Sequence, residues 1–491
     1  MNQQQLTTPW AARTNLYSAP GSLILKMTLG EAPEAIPSAA DVRAGVLPPA
    51  DRTRVGSVDR VMAHFSPRIH IARVHAAAAN LGHWGRQHRA FNDLEEILGL
   101  SRTFRVEAER QCCVDEMIDA LRQVAVVEQA YPHYLSTLPF SLTSPVRPVL
   151  FAASPDAAQV LLMNDGWASR QQVHAPEALA YESGDPAVIV GVVDTGVVQD
   201  HPDLRVRLRR GVDTVQLLTA QLAQGIELVG DLGGVDLDPE DNVGHGTACA
   251  GIIAAQGQHL PPGLAGDCQL LPVRVLGAAR FPGKQELAGV GALADIDQGV
   301  KMAVDLGAKV INMSFGTPET ALDTHDPLPH SDVVRYGLAK GCIMIAASGN
   351  SGRIERYAPA SLENVIAVGA VDQDDRPASF STGGDHVDIA APGVRVLSTG
   401  LTDGYQLVTG TSFAAPFVAA AAGLLVSRAA RRAYPLDSTA VRRILRASAD
   451  PWSDNRVVGQ GAGILNVYAA LKTLDREIDH GQAYGLNGSG I

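Results

Sequence analysis

Short runs of Val, Ile and Ala recur through the second half of the chain: PAVIVGVVDTG, LLPVRVL, AKVINMSFG, GCIMIAASGN and NVIAVGAVD. Each is nearly continuous in apolar character, with no polar alternation. Strands of that kind must be covered on both faces, as the strands of a parallel sheet are. Segments with helical spacing lie between several of them, GTACAGIIAA, ALADIDQGVKMAVDLG and SDVVRYGLAKG among them. Strands alternating with helices specify an α/β fold: a doubly wound, mostly parallel sheet with helices on both faces. Such a sheet offers its ligands the carboxyl ends of its strands. The pattern is expected to occupy residues 171–472.

The first part of the chain has a different texture. Residues 1–21 are polar and read as a loose N-terminus, and residues 22–139 as a small α+β domain. In the latter, SLILKMTLG, RTFRVEAE and VAVVEQAYP read as strands and CVDEMIDALRQ as a helix. VDRVMAHFSPRIHIARVHAAAANL is largely helical in period, which suggests a helical insertion around residues 55–100. The stretch 140–170, with its prolines and serines, reads as a linker, and the polar, Gly-rich residues 473–491 as a flexible tail.

Composition removes several classes of function. A net charge of -12 leaves no basic stripe for nucleic acid. No run reaches the roughly 18 uninterrupted apolar residues of a membrane span. The longest candidate, GTSFAAPFVAAAAGLL, is interrupted or bounded by Thr411, Ser412 and Pro416. The chain opens without the basic start and apolar core of a secretory signal. Five cysteines, Cys112, Cys113, Cys249, Cys268 and Cys342, make an odd, scattered set rather than a disulfide framework. The expectation is a cytoplasmic protein.

Four polar residues stand where apolar elements begin or end, each beside glycine. Asp194 closes the VIVGVVD run, His245 opens the helix of DNVGHGTACAGIIAA, Asn350 follows IMIAASG, and Ser412 opens the Ala-rich helix. Buried polar groups are costly unless partnered, so four at one end of a sheet point to each other. A serine hydroxyl needs an adjacent imidazole to become a nucleophile, and a carboxylate fixes that imidazole's tautomer. A carboxamide and backbone N–H groups at a helix start suit a developing oxyanion. Taken singly, each residue has a plainer reading: Ser412 as a helix cap, Asp194 and Asn350 as turn formers.

Together, VVDTGVVQDHPDL, GHGTACAGIIAA, AASGN and GTSFAAPFVAAAAGLL resemble the signature blocks of the subtilisin-like serine proteases, in that family's order of Asp, His and Ser. The likeness runs from about Gln171 to Ala470, where GAGILNVYAAL is similar to the family's closing segment. The resemblance implies a serine endopeptidase acting on protein or peptide substrates. It assigns Asp194 as orienting acid, His245 as general base and acid, Ser412 as nucleophile and Asn350 as oxyanion donor. By the same match Ser314, Phe315 and Gly316 line the first specificity pocket opposite Ala347, Ser348 and Gly349. The N-terminal unit, through TFRVEAERQCCVDEMIDALRQVAVVEQAYPHYL, is similar to the second half of the family's propeptide and is expected to pack on the catalytic domain.

The departures carry expectations too. Ala248 followed by Cys249 is similar to the kexin-like branch, with a cysteine beneath the histidine, read as a packed core thiol that would respond to thiol reagents. Residues 205–240 form an insert expected to add a lid or a substrate-contacting loop. QGQHLPPGLAGDC lacks the family's asparagine-bearing calcium loop, and Asp203 alone is not a site, so no metal and no cofactor are expected. His70, His75, His83 and His88 read as surface or satisfied histidines rather than ligands, and Cys112 and Cys113 as idle thiols. Glu355, Arg353 and Arg356 follow Asn350 near the pocket floor and read as a solvated loop, a preference for basic residues through Glu355 being the sharper alternative. A substrate-dedicated protease is a narrower form of the reading, and a catalytically silent peptide-binding scaffold is its alternative.

Overall fold

In strand β6 (Ile189–Asp194), Val190 and Val192 face one apolar core while Ile189 and Val193 face another. The run is apolar throughout because both faces are buried. This computed structural model describes residues 18–80, 91–109, 111–138, 147–149, 164, 166–217, 226–454 and 457–483. Strand β6 lies inside a seven-stranded sheet with β7 (Val212–Asp213), β9 (Gln269–Arg274), β12 (Val310–Met313), β14 (Ile343–Ala347), β16 (Ile366–Val371) and β17 (Val387–Pro392), in the order β17-β16-β14-β12-β6-β9-β7. Every neighbouring pair is parallel.

Helices His245–Ala254, Thr411–Arg431, Ser438–Ser448 and Val467–Ala483 cover one face. Helices Leu293–Asp305 and Ser331–Ala339 cover the other. This is the doubly wound architecture that the sequence specifies. The Thr411–Arg431 helix has the length and apolarity of a membrane span, but 83% of its most apolar window is buried inside the fold. Its alanines let it lie close to the sheet, and a methyl added at Gly423 would rest 3.4 Å from Val190 Cγ2. Leu424 and Leu425, wholly buried, each contribute about 1.5–3 kcal/mol of hydrophobic stabilisation.

A second seven-stranded sheet is antiparallel throughout. It joins β2 (Ile69–Arg73), β3 (Thr103–Ala108), β1 (Ser18–Met27) and β4 (Val127–Thr137) to β11 (Leu287–Ala292), β10 (Gly277–Arg280) and β8 (Glu227–Val229), in that order. Leu23, Leu25, Phe104, Val106, Met117 and Leu121 form a separate core on its N-terminal half. The seam with the rest of the chain combines the β4–β11 pairing and apolar clusters with ion pairs. Glu95 meets Lys301 at 2.6 Å with both side chains buried, Lys26 meets Asp332 at 2.7 Å, and Arg105 meets Asp295 at 3.5 Å. Arg122 and Tyr134 both bond Asp326.

Several sequence expectations are corrected. The helical reading of residues 58–81 holds only for helix Gly56–Phe65; Ile69–Arg73 is a strand, with Ile69 and Ile71 inward and His70 exposed, a period of two. Ser66 and Pro67 end the helix, since proline cannot continue it. Strand β1 begins at Ser18, inside the span read as loose. The span read as linker contains β5 (Arg147–Val149), antiparallel to β19 (Tyr405–Val408), which pairs in turn with β18 (Val396–Thr399). The expected tail is helical as far as Ala483, because Leu471, Leu474 and Ile478 share one buried stripe and Asp475 pairs with Arg428 at 2.9 Å. The insert supplies β7 and β8, so it extends both sheets.

Candidate active site

Asp194 is the last residue of β6 and is fully buried. Its Oδ1 accepts the Thr195 N–H at 2.7 Å and lies 2.7 Å from His245 Nδ1. Gly246 makes that approach possible, because a Cβ there would stand 2.2 Å from the Gly196 carbonyl and 3.1 Å from Asp194 Cβ. Asp241 fixes the helix from below, accepting from the N–H groups of Val243, Gly244 and Thr247 and from the Thr247 hydroxyl at 2.7–3.0 Å. Burial raises its carboxyl above the usual range. The sequence reading passed over Asp241, which stands four residues before the helix start and so outside the usual N-cap position.

Ser412 stands in the first turn of the Thr411–Arg431 helix and is almost fully buried. Four residues on, Pro416 has no N–H to give, so the Ser412 carbonyl has no intrahelical donor. It accepts instead from the Ser314 hydroxyl at 2.8 Å and the Cys249 thiol at 3.4 Å. In return, Ser412 Oγ donates to the Ser314 carbonyl at 3.2 Å. The expectation that all four polar groups bond one another is therefore met only in part: Asp194 and His245 are paired, while the serine hydroxyl is turned toward Ser314. His245 and Phe413, the residue after the serine, hold their rings 4.9 Å apart. Sequence reasoning placed Ser314 in a pocket wall by its backbone and missed this reciprocal side-chain role; the proline in GTSFAAP was the available signal.

Cys249 lies beneath the histidine as expected, its sulfur 4.0 Å from His245 Nδ1 and 3.8 Å from Asp194 Oδ2. Burial first, then the Asp194 charge, holds its thiol well above the ordinary cysteine range, so the packed, protonated form dominates.

Asn350 ends the loop after β14. Its Oδ1 accepts from the Thr411 N–H at 2.9 Å and the Thr411 hydroxyl at 2.8 Å, which aims the amide nitrogen toward Gly410. A Cβ on Gly410 would sit 3.2 Å from Asn350 Nδ2. The two proposed pocket walls flank the site: Ser314, Phe315 and Gly316 follow β12, and Ala347, Ser348 and Gly349 close β14. Phe315 turns its ring away, 5.6 Å from the His330 ring, and Ser348 Oγ donates to the Thr382 carbonyl at 2.8 Å, so the walls present backbone. Past the first wall, Thr317–Pro318 (β13) pairs with Tyr357–Ala358 (β15).

Both flanks of the cleft carry chain from upstream. Leu135, Ser136 and Thr137 at the end of β4 pair with Ala292, Gly291 and Val290 of β11, and Ser136 Oγ lies 2.8 Å from Thr317 Oγ1. Leu138 and Thr195 both border Gly289: the Leu138 N–H donates to the Gly289 carbonyl at 3.2 Å, and a Cβ there would meet Leu138 Cδ1 at 2.9 Å and Thr195 Cγ2 at 2.7 Å.

The remaining candidates fall elsewhere. Asp203 accepts from Gln258 N–H at 2.7 Å, His259 N–H at 3.3 Å and Tyr405 hydroxyl at 2.6 Å, so its oxygens serve the loop. His70 is exposed, while His83 and His88 lie outside the described residues. His75 corrects the reading of a satisfied histidine, for it is buried and its Nδ1 has no hydrogen-bond partner among the described residues. Arg356 pairs with Asp385 at 2.8 Å, and Glu355 accepts the Tyr357 hydroxyl at 3.4 Å.

An acid-imidazole pair and a helix-head serine at the carboxyl end of a parallel sheet define a serine hydrolase. Residues 185–482 match the model of the Subtilase family. A thermophilic serine proteinase of Bacillus sp. (strain AK1) is 33% identical over 364 residues, covering 73% of this chain and 76% of that protein. Thermitase of Thermoactinomyces vulgaris is 34% identical over 309 residues, 62% of this chain and 94% of its own length. A solved protease from Pseudoalteromonas arctica superposes with a TM-score of 0.54 at 25% identity, covering 64% of this chain and 98% of the other. The chain belongs to the subtilase family, and it is a serine endopeptidase with an Asp-His-Ser triad.

Proposed function

We propose that Ser412 attacks the scissile carbonyl, with His245 as the base that takes its proton and then gives it to the leaving amine. Asp194 holds the ring by Nδ1, leaving Nε2 as the acceptor, and stabilises the imidazolium once formed. Asn350 and the N–H groups at the head of the serine helix face the tetrahedral oxyanion, where the helix dipole is positive. The attack begins with the Ser412 hydroxyl leaving the Ser314 carbonyl for the imidazole. The 2.7 Å contact between His245 Nδ1 and Asp194 Oδ1 carries this reading. Ser412→Ala is expected to abolish both peptide cleavage and labelling by a serine-directed organophosphonate; persistent labelling of that variant would refute the assignment. Wild-type protein that binds peptides and never acylates would be the silent scaffold instead.

The N-terminal α+β unit is, in the same reading, a propeptide packed on the catalytic domain. Its support is the register of β4 on β11, the 2.8 Å contact of Ser136 Oγ with Thr317 Oγ1 one residue past the first pocket wall, and the reappearance of the chain as β5 beside β19. Cleavage is expected near residues 139–170, and the Ser412→Ala variant should keep its full intact mass. The ion pairs of the seam and the insert favour a dedicated protein substrate over general degradation, so unfolded casein should be a poor substrate. The free state of the described cysteines, with the acidic composition, suits a reducing cytoplasm.

A further inference from the structure

We propose that Tyr357 closes the first specificity pocket and restricts the residue before the scissile bond to small side chains such as Gly, Ala and Ser. The proposal rests on the serine-protease reading above and concerns the same cleft. Two backbone walls bound the pocket, one ending at Gly316 and the other at Gly349. A side chain entering between them meets the Tyr357 ring. A Cβ built on Gly316 would lie 3.4 Å from Tyr357 Cβ and Cδ1, while a Cβ built on Gly349 would lie 3.0 Å from Cδ2 and Cε2. Opposite edges of one ring thus touch opposite walls, and the ring spans the gap.

The ring is held there from three sides. The pairing of Pro318 with Tyr357 fixes its backbone to the strand that continues the first wall. Gly349 has φ +112°, a conformation that keeps a side chain off the second wall and admits the ring edge. The hydroxyl donates to Glu355 Oε2 at 3.4 Å, and Arg353 stands 4.0 Å from the other oxygen of that carboxylate. Glu355 is therefore engaged behind the ring. The geometry argues against the alternative of a basic residue drawn in by Glu355, because a lysine would have to pass the phenol first.

A pocket blocked by a rigid ring discriminates by overpacking, which costs more with each added methylene, and differences of one or two such groups give about 10–200-fold in kcat/KM. The test is a set of peptides differing only at the residue before the cut (Gly, Ala, Ser, Leu, Phe, Lys), assayed with the full-length protein. Wild type is expected to prefer Ala over Phe by at least about tenfold. Tyr357→Gly should raise kcat/KM for Phe by at least about tenfold and erase the preference, while Tyr357→Phe, which keeps the ring, should retain it. Glu355→Gln should leave the profile of the series as it is. The rate of organophosphonate labelling reports whether each variant is folded and competent. A wild type that favours Phe, Leu or Lys, or a labelled Tyr357→Gly with the wild-type profile, would overturn the proposal. If Tyr357→Gly does not fold, the wild-type and Tyr357→Phe profiles still decide. Wild type that never labels would instead remove the serine reading, and this one with it.

Discussion

The two faces of the parallel sheet are held mainly by apolar contacts, whereas the seam along β4 adds paired charges to apolar clusters such as Ile24, Tyr131 and Tyr134 against Leu293 and Ala294. Around β6 and β14 the contacts are Val, Ile, Leu and Ala, wholly buried and without charge. Along the seam, Glu95, Lys26, Arg105 and Arg122 reach across to Lys301, Asp332, Asp295 and Asp326. Apolar burial is indifferent to pH and modestly strengthened by salt. Paired charges stay cheap only while both partners are present, and removing one leaves the other buried and uncompensated. The comparison teaches that the N-terminal segment depends, beyond its apolar contacts, on paired charges that single changes can weaken, a dependence the sheet interior does not share.

The strongest test of the framework is Gly246→Ala. Its methyl has no space beside the Gly196 carbonyl, so His245 must leave Asp194, and cleavage should fall by several orders of magnitude. A variant with a wild-type rate would contradict the described packing. Next, Ile345→Ala in β14 should lower global stability by about 2–5 kcal/mol, read as a lower denaturant midpoint with an unchanged slope. Addition of salt should not deepen that loss.

The seam should respond differently. Glu95→Gln removes the charge facing Lys301, which keeps Asp305 at 2.7 Å, so the expected cost is about 1.5–3 kcal/mol. Hydrogen exchange should quicken across residues 18–138 and hardly change in β6 and β14; equal quickening in both regions would abolish the distinction.

The effect that is smallest near neutrality concerns pH. His133 on β4 has Nε2 3.2 Å from the Ala294 N–H and Nδ1 2.9 Å from Ser22 Oγ. Burial, then the charge of Arg105, pushes its pKa down to about 3. The folded value lies below the ordinary one, so release of the strand takes up a proton as pH falls from about 6.5. Acid therefore favours release, by at most about one decade per pH unit between roughly 6.5 and 3. His133→Gln should flatten the acid side of that profile, and an unaltered slope would assign the pH response to another group.

The continuous apolar runs and the residues that close them were readable from local pattern, because burial on both faces and the stop at each strand end leave their mark in consecutive residues. That is why Asp194, His245, Asn350 and Ser412 could be singled out. The strand Ile69–Arg73 and the terminal helix were missed where polar residues on the solvent side masked a two-residue or helical period. The turn of the Ser412 hydroxyl toward Ser314, the support from Asp241 and the place of Tyr357 between two glycines had weaker local traces.

What the sequence determined by itself is the fold class and the set of polar residues proposed for catalysis, since hydrophobic periodicity and helix-start chemistry act over a few neighbouring residues. What only the tertiary structure decided is the partnership across distance: Glu95 with Lys301, β4 with β11, the Tyr357 ring between Gly316 and Gly349. Those depend on which surfaces meet once the layers are stacked. A hydrogen bond or a steric contact reaches only a few ångströms in space, whatever the separation along the chain.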